Sequence, residues 1–132
     1  VLSSYVPDVI ASNLGRIVGD LLAPEGFSPV DVDRWAIHPG GKTILDKAEK
    51  ALALQPEQLT VSREVLRNFG NMSSATILFV LYQLLHQPAV TPQTIVAMAF
   101  GPGLTIECAL LEFLPVRNPA ACRKPEPTST LC

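Results

Sequence analysis

Two short segments carry the polar residues that could do chemistry. Residues 38–43 read HPGGKT, and residues 70–76 read GNMSSAT. His38 follows the apolar residues Trp35 to Ile37, and Asn71 follows a glycine at the start of an apolar stretch. An imidazole N–H and a side-chain amide converging on one point form an oxyanion hole that holds negative charge developing on a thioester oxygen or an enolate. Neither group is a nucleophile, so this chemistry needs a thiolate partner. Each residue also has a plainer reading. A lone histidine at a strand end is commonly structural, and an asparagine ahead of a helix is a good cap.

A second chemistry competes for the first segment. Residues 36–43, AIHPGGKT, approach the phosphate-binding pattern of Gly, four residues, then Gly-Lys-Thr. Ala36 stands where the first glycine belongs, and Pro39 has no N–H to offer a phosphate. The downstream segment TIVAMAF, residues 94–100, runs into Gly-Pro-Gly and not into a magnesium-binding aspartate. Nucleotide binding at 36–43 is therefore a remote alternative, and Lys42 reads as a solvated residue at a helix start.

Both segments must be held by surrounding elements. Val9, Ile10, Leu14, Ile17, Val18, Leu21 and Leu22 recur at helical spacing, with Pro7 and Asp8 as the expected start and Asp8 as N-cap. A buried strand is expected from near Asp33 through Ile37, and a helix from Gly41 to Leu54. Ser62 to Asn68 reads as a short helix, a turn capped by Ser62. Met72 to Leu85 reads as a very apolar helix whose first turns carry small residues. Thr94–Phe100 and Thr105–Leu114 read as two antiparallel strands joined by Gly-Pro-Gly. The main elements thus run α-β-α-α-β-β, an α/β class with a mixed sheet covered by helices. From Arg117 onward Pro, Ser, Thr and charges dominate, and residues 117–132 are expected to be a flexible tail.

Composition narrows the classes further. The chain has 132 residues, 48% hydrophobic and 17% charged, so it is one apolar domain or part of one. A net charge of −2 leaves no electrostatic footprint for nucleic acid or an anionic membrane. The longest apolar run, Ala75 to Leu85, is too short to span a bilayer. Cys108, Cys122 and Cys132 are odd in number and far apart, which suits neither a disulfide framework nor a zinc site. Cys108 is expected to be a buried, inert thiol, and a reduced cytoplasmic setting is the expectation. No metal site is expected.

Three segments taken together become recognisable. WAIHPGGKTILDKAEKALAL, SREVLRNFGNMSSATILFVLYQL and AFGPGLTIECALLE resemble, in order, the C-terminal portion of type III polyketide synthases, the chalcone synthase-like family. The resemblance extends from about Val6 to Leu114 and is most specific at His-Pro-Gly-Gly and Gly-Asn-Met-Ser-Ser. It implies the C-terminal half of a thiolase-like fold over residues 1–116. It also implies acyltransfer: an acyl-CoA starter condensed with malonyl-CoA by decarboxylative Claisen chemistry, in a homodimer without a prosthetic group. On that resemblance His38 and Asn71 belong to a Cys-His-Asn triad. Gly40 and Thr43 fall where the pantetheine arm passes, and Ser73 falls on the cavity lining. Phe100, Gly101, Pro102 and Gly103 match a loop bordering the cavity, with Ala99 replacing that loop's first glycine. The nucleophilic cysteine of the family belongs to an N-terminal half, and none of Cys108, Cys122 or Cys132 sits in its motif. The chain by itself is therefore expected to be inactive, a fragment whose partner is that N-terminal half. The alternative is a non-catalytic thiolase-like scaffold or dimerisation module.

Overall fold

A computed structural model describes residues 5–115. The expected tail at 117–132, with Cys122 and Cys132, lies outside the described residues. The elements are α1 (Tyr5–Leu22), β1 (Arg34–Ile37), α2 (Lys42–Ala51), α3 (Thr60–Phe69), α4 (Ala75–Leu85), β2 (Gln93–Gly101) and β3 (Thr105–Phe113), with short 3-10 turns between them. The order contains one helix more than expected, because α3 is a full ten-residue helix and not a capped turn.

The three strands form a mixed sheet in the order β1-β2-β3. β1 pairs parallel with β2, Trp35 opposite Val96 and Ile37 opposite Met98. β2 pairs antiparallel with β3, from Gln93 opposite Phe113 to Gly101 opposite Thr105. Successive residues of a strand face opposite sides. Trp35, Ile37, Val96 and Met98 thus join one core with Leu14, Val18 and Leu22 of α1 and Leu45 and Ala48 of α2. Ala36, Ile95 and Ala97 join a second with Val61 and Val65 of α3 and Val80 and Leu84 of α4. All four residues of β1 are buried, as a parallel strand covered on both faces should be.

Polar contacts lock the helices to β1. Arg34 is buried on the α3–α4 side; its guanidinium donates to the Leu84 carbonyl in the last turn of α4 and to the Pro88 carbonyl at 3.1 Å. Its charge also sits 5.6 Å from the centre of the Phe113 ring. A cation there adds a second donor to the Leu84 carbonyl, which the Gln87 N–H also reaches at 3.2 Å, and opposes the negative end of the helix dipole. Ser62 is fully buried and donates to the Ile37 carbonyl at 2.7 Å, so it fastens α3 to the strand and caps nothing. Arg63 reaches Asp46 and Glu49 of α2, each at 2.8 Å.

Helix ends differ from expectation for local reasons. α1 begins at Tyr5, with Pro7 inside its first turn, where a missing N–H costs little. Asp8 is therefore not the cap; it lies in the first turn and pairs with Lys47 at 2.5 Å. α2 stops at Ala51, three residues before Leu54. Ala53 takes a left-handed φ of 51°, the Leu54 N–H returns to the Glu49 carbonyl at 2.9 Å and the Ala53 N–H to Lys50 at 3.3 Å. That is a Schellman ending, normally signalled by glycine. α4 begins at Ala75, because residues 70–74 are spent on a turn. Its buried stripe is Thr76, Val80 and Leu84, while Leu78, Phe79, Tyr82 and Leu85 are exposed.

An alanine held left-handed costs more than a glycine there. Ala53→Gly should therefore stabilise the protein by about 0.5–1 kcal/mol, less what glycine's extra unfolded-state freedom takes back. Urea unfolding checks the sign; a loss of stability would show that the Ala53 methyl contributes packing that outweighs the strain.

Candidate active site

His38 lies just past the C-terminal end of β1, and its N–H donates to the Met98 carbonyl at 2.8 Å, which prolongs the parallel ladder by one residue. The residue is 6% exposed, and its ring meets Phe100 edge-on with centroids 6.5 Å apart. Burial holds the imidazole below its ordinary pKa of 6.5, because a desolvated cation is unfavourable. A neutral ring at pH 7 keeps one N–H to donate and one nitrogen to accept.

The chain then turns sharply, with the Gly40 N–H donating to the His38 carbonyl at 2.9 Å. A Cβ at Gly40 would come within 3.0 Å of Ile44 Cδ1 and 3.8 Å of His38 Nε2. Glycine is what leaves that edge of the imidazole open.

Asn71 approaches from the other side. Its Oδ1 accepts the Ser73 N–H at 2.9 Å, and its Nδ2 donates to the Gly40 carbonyl at 3.3 Å. Among the described residues its second amide hydrogen has no acceptor. Asn71 is thus not the cap of α4, whose cap position is Ser74; it closes a side-chain turn of its own. Two residues of the turn have positive φ, Gly70 at 70° and Ser73 at 62°.

These groups line one cleft of about 400 Å³, walled by His38, Gly40, Asn71, Ser73, Phe100, Gly101 and Pro102. Seven of the nine residues singled out in the sequence therefore share it. Thr43 and Gly103 do not: both are exposed, Thr43 on the outer side of α2's first turn and Gly103 at the hairpin tip with φ 69°. Sequence reasoning missed the apolar wall, Ile10, Ile44 and Ile77. The helical repeat offered a signal, since a residue in the first turn of α2 that is buried at 44 must lie beneath the loop before it.

No cysteine among the described residues lines the cleft. Cys108 sits on β3, half-buried and not fully buried as expected, and burial together with Glu107 pushes its thiol pKa up. A thiol so shifted is a poor source of thiolate. Lys42 is exposed and pairs with Asp46 at 2.8 Å, away from the cleft, which leaves the phosphate-loop reading without its cation. Among the described residues no His, Cys, Asp or Glu cluster is arranged to hold a metal ion, and no helix is long and apolar enough to cross a membrane.

This mixed sheet between helix layers, with a histidine at the end of a parallel strand, is a thiolase-like α/β fold by its match to a solved structure. The crystal structure of PKS-I from the brown alga Ectocarpus siliculosus matches it with a TM-score of 0.76 and 31% identity, over 86% of this chain and 32% of that one. The family model "Chalcone and stilbene synthases, C-terminal domain" matches residues 1–115, and the chain belongs to that family, the type III polyketide synthases. It is 40% identical over 121 residues to a bisdemethoxycurcumin synthase of Oryza sativa subsp. japonica, an alignment that covers 84% of this chain. The chain spans 30% of that relative's length.

Two outcomes follow from the site's geometry. Because His38 has a lowered pKa when folded, the unfolded chain takes up its proton first as pH falls. The stability due to a neutral His38 is present above pH 6.5 and is lost as pH drops below that value. Thermal midpoints measured from pH 8 to pH 5 should fall less steeply in His38→Gln; equal slopes would refute the burial argument. Gly40→Ala should leave the fold intact, since the flexible end of Ile44 can give way, while it narrows the cleft beside His38 Nε2. Acylation of His38 by diethyl pyrocarbonate, read by peptide mass, should slow in this variant; an unchanged rate would mean that a Cβ at Gly40 does not cover that edge of the ring.

Proposed function

We propose that this chain supplies the oxyanion-stabilising part of a type III polyketide synthase that condenses an acyl-CoA starter with malonyl-CoA. The observation that carries this is the meeting of a buried, neutral His38 and the Asn71 amide on one cleft, with no cysteine among the described residues beside them. A cysteine thiolate from outside the chain attacks the starter thioester, forms an enzyme thioester and releases CoA. Malonyl-CoA then loses carbon dioxide, and the electron pair of the broken C–C bond becomes an enolate. His38 and Asn71 donate to its thioester oxygen, where the charge accumulates. The enolate carbon attacks the enzyme thioester, a new C–C bond forms, and the thiolate leaves. No group of the protein needs to change its metal or redox state in these steps.

Gly40 and Ser73 are read as walls of the acyl and pantetheine passage, and Phe100, Gly101 and Pro102 as its rim. Thr43, which stands outside the cleft, is still read as a contact of the pantetheine arm, and Gly103, also outside it, as part of the loop bordering the cavity. The exposed apolar side of α4, Leu78, Phe79, Tyr82 and Leu85, supports a partner surface such as the N-terminal half. Residues 1–116 are read as this half of the enzyme, which is taken to be a cytoplasmic homodimer requiring no cofactor, the CoA thioesters being its substrates. The same apolar side also favours a second reading, a non-catalytic scaffold or dimerisation module.

In the enzyme that contains this chain, His38→Ala or Asn71→Ala should each slow malonyl-CoA decarboxylation by about 100- to 1,000-fold. Circular dichroism should remain unchanged. Lys42→Ala should have little effect, and the 132-residue chain alone should show no turnover. Wild-type decarboxylation in either single variant would remove the oxyanion assignment and leave the scaffold reading.

A further inference from the structure

The turn that carries Asn71 is unusual in its backbone. Gly70 has φ 70° and ψ −169°, a region open essentially to glycine alone. Ser73 is held at φ 62°, which a residue with a side chain adopts only at a cost. Such a turn persists only where its surroundings determine it. Asn71 itself supplies one fastening, through Oδ1 and the Ser73 N–H. A second comes from α4: the Met72 N–H donates to Thr76 Oγ1 at 2.8 Å, and the Thr76 N–H donates to the Ser73 carbonyl at 3.1 Å.

Thr76 is fully buried and leads the stripe of α4 that continues through Val80 and Leu84. Its neighbours in that stripe are apolar, so packing alone would favour valine, which has nearly the same shape. The hydroxyl is the difference. It is anchored in the core of the α3–α4 layer, while the N–H it accepts belongs to the residue directly after Asn71. The side-chain amide of Asn71 in turn reaches the Gly40 carbonyl, two residues from His38.

We propose that Thr76 is a positioning residue for the reaction: its buried hydroxyl sets the Asn71 turn against α4, and so aims the Asn71 amide into the cleft beside His38. This rests on the oxyanion reading of Asn71 and names what holds that donor in place. Thr76 touches no substrate, since it does not line the cleft.

The test is a comparison of Thr76→Val, Thr76→Ser, Asn71→Ala and the double variant N71A/T76V in the complete enzyme, read as kcat and KM for malonyl-CoA decarboxylation. Thr76→Val keeps the shape and removes the acceptor, and should lower kcat by about tenfold with little change in KM. Thr76→Ser restores the acceptor and should recover most of the loss. On the Asn71→Ala background, assayed at high enzyme concentration, Thr76→Val should cost nothing further, because its effect runs through Asn71. If Thr76→Val does not fold, Thr76→Ala provides the same cycle. A wild-type kcat in the Thr76 variant, with Asn71→Ala impaired, overturns this inference alone. So does an equal additional loss on the Asn71→Ala background, which would mark a general packing role. Full activity in Asn71→Ala overturns the oxyanion reading, and this inference with it.

Discussion

The parallel pairing of Arg34–Ile37 with Ile95–Met98 is the constraint on which the rest of the molecule depends. A parallel pair cannot be closed by a tight turn, so a long crossover must run between its strands, and here that crossover is α2, α3 and α4. The pair is buried on both faces, which forces the helices into two layers. One ladder step further on, the His38 N–H takes the Met98 carbonyl. The position of the histidine is therefore a consequence of strand register, and a one-residue slip would turn Trp35 and Ile37 to the wrong layer.

The second half of the site is reached through the helices. Ser62 joins α3 to the last residue of β1, and Arg34 joins the first residue of β1 to the end of α4. Both contacts lie on the same side of the sheet. A buried guanidinium without its carbonyl partners would be strongly unfavourable, so Arg34 admits few alternative placements of α4. Asn71 then arrives opposite Gly40 because α3 and α4 are each fixed to the strand that carries His38. Gly40 and Asn71, 31 residues apart, thus meet in the cleft through contacts made by residues that never enter it.

Surface charges have a lesser part. Arg63 draws Asp46 and Glu49 of α2 toward α3, and the Lys42 ammonium, then Arg63, hold the Asp46 carboxyl below its ordinary pKa. Asp46 is largely solvated, and pairs of that kind contribute little to stability. Lys42, paired with Asp46 on α2's outer surface, does not line the cleft.

Much of this was legible in the residues. Strand and helix periods located every major element but α3, which read as a capped turn, and His-Pro-Gly-Gly with Gly-Asn-Met-Ser-Ser marked polar residues that the fold brings to one cleft. Tertiary structure decided what period and composition leave open. α4 is apolar around its whole circumference, so its sequence has no direction, and only Arg34 and the second core select Thr76, Val80 and Leu84 as the buried side. The end of α2 was invisible because an alanine, Ala53, occupies the left-handed position that glycine usually announces. Thr43 and Ile44 are adjacent in sequence but about 100° apart around the helix, and the sheet beneath determines that Ile44 faces the cleft and Thr43 does not. A sequence states which residues are spaced for a task; the packing of distant elements decides which of them face it.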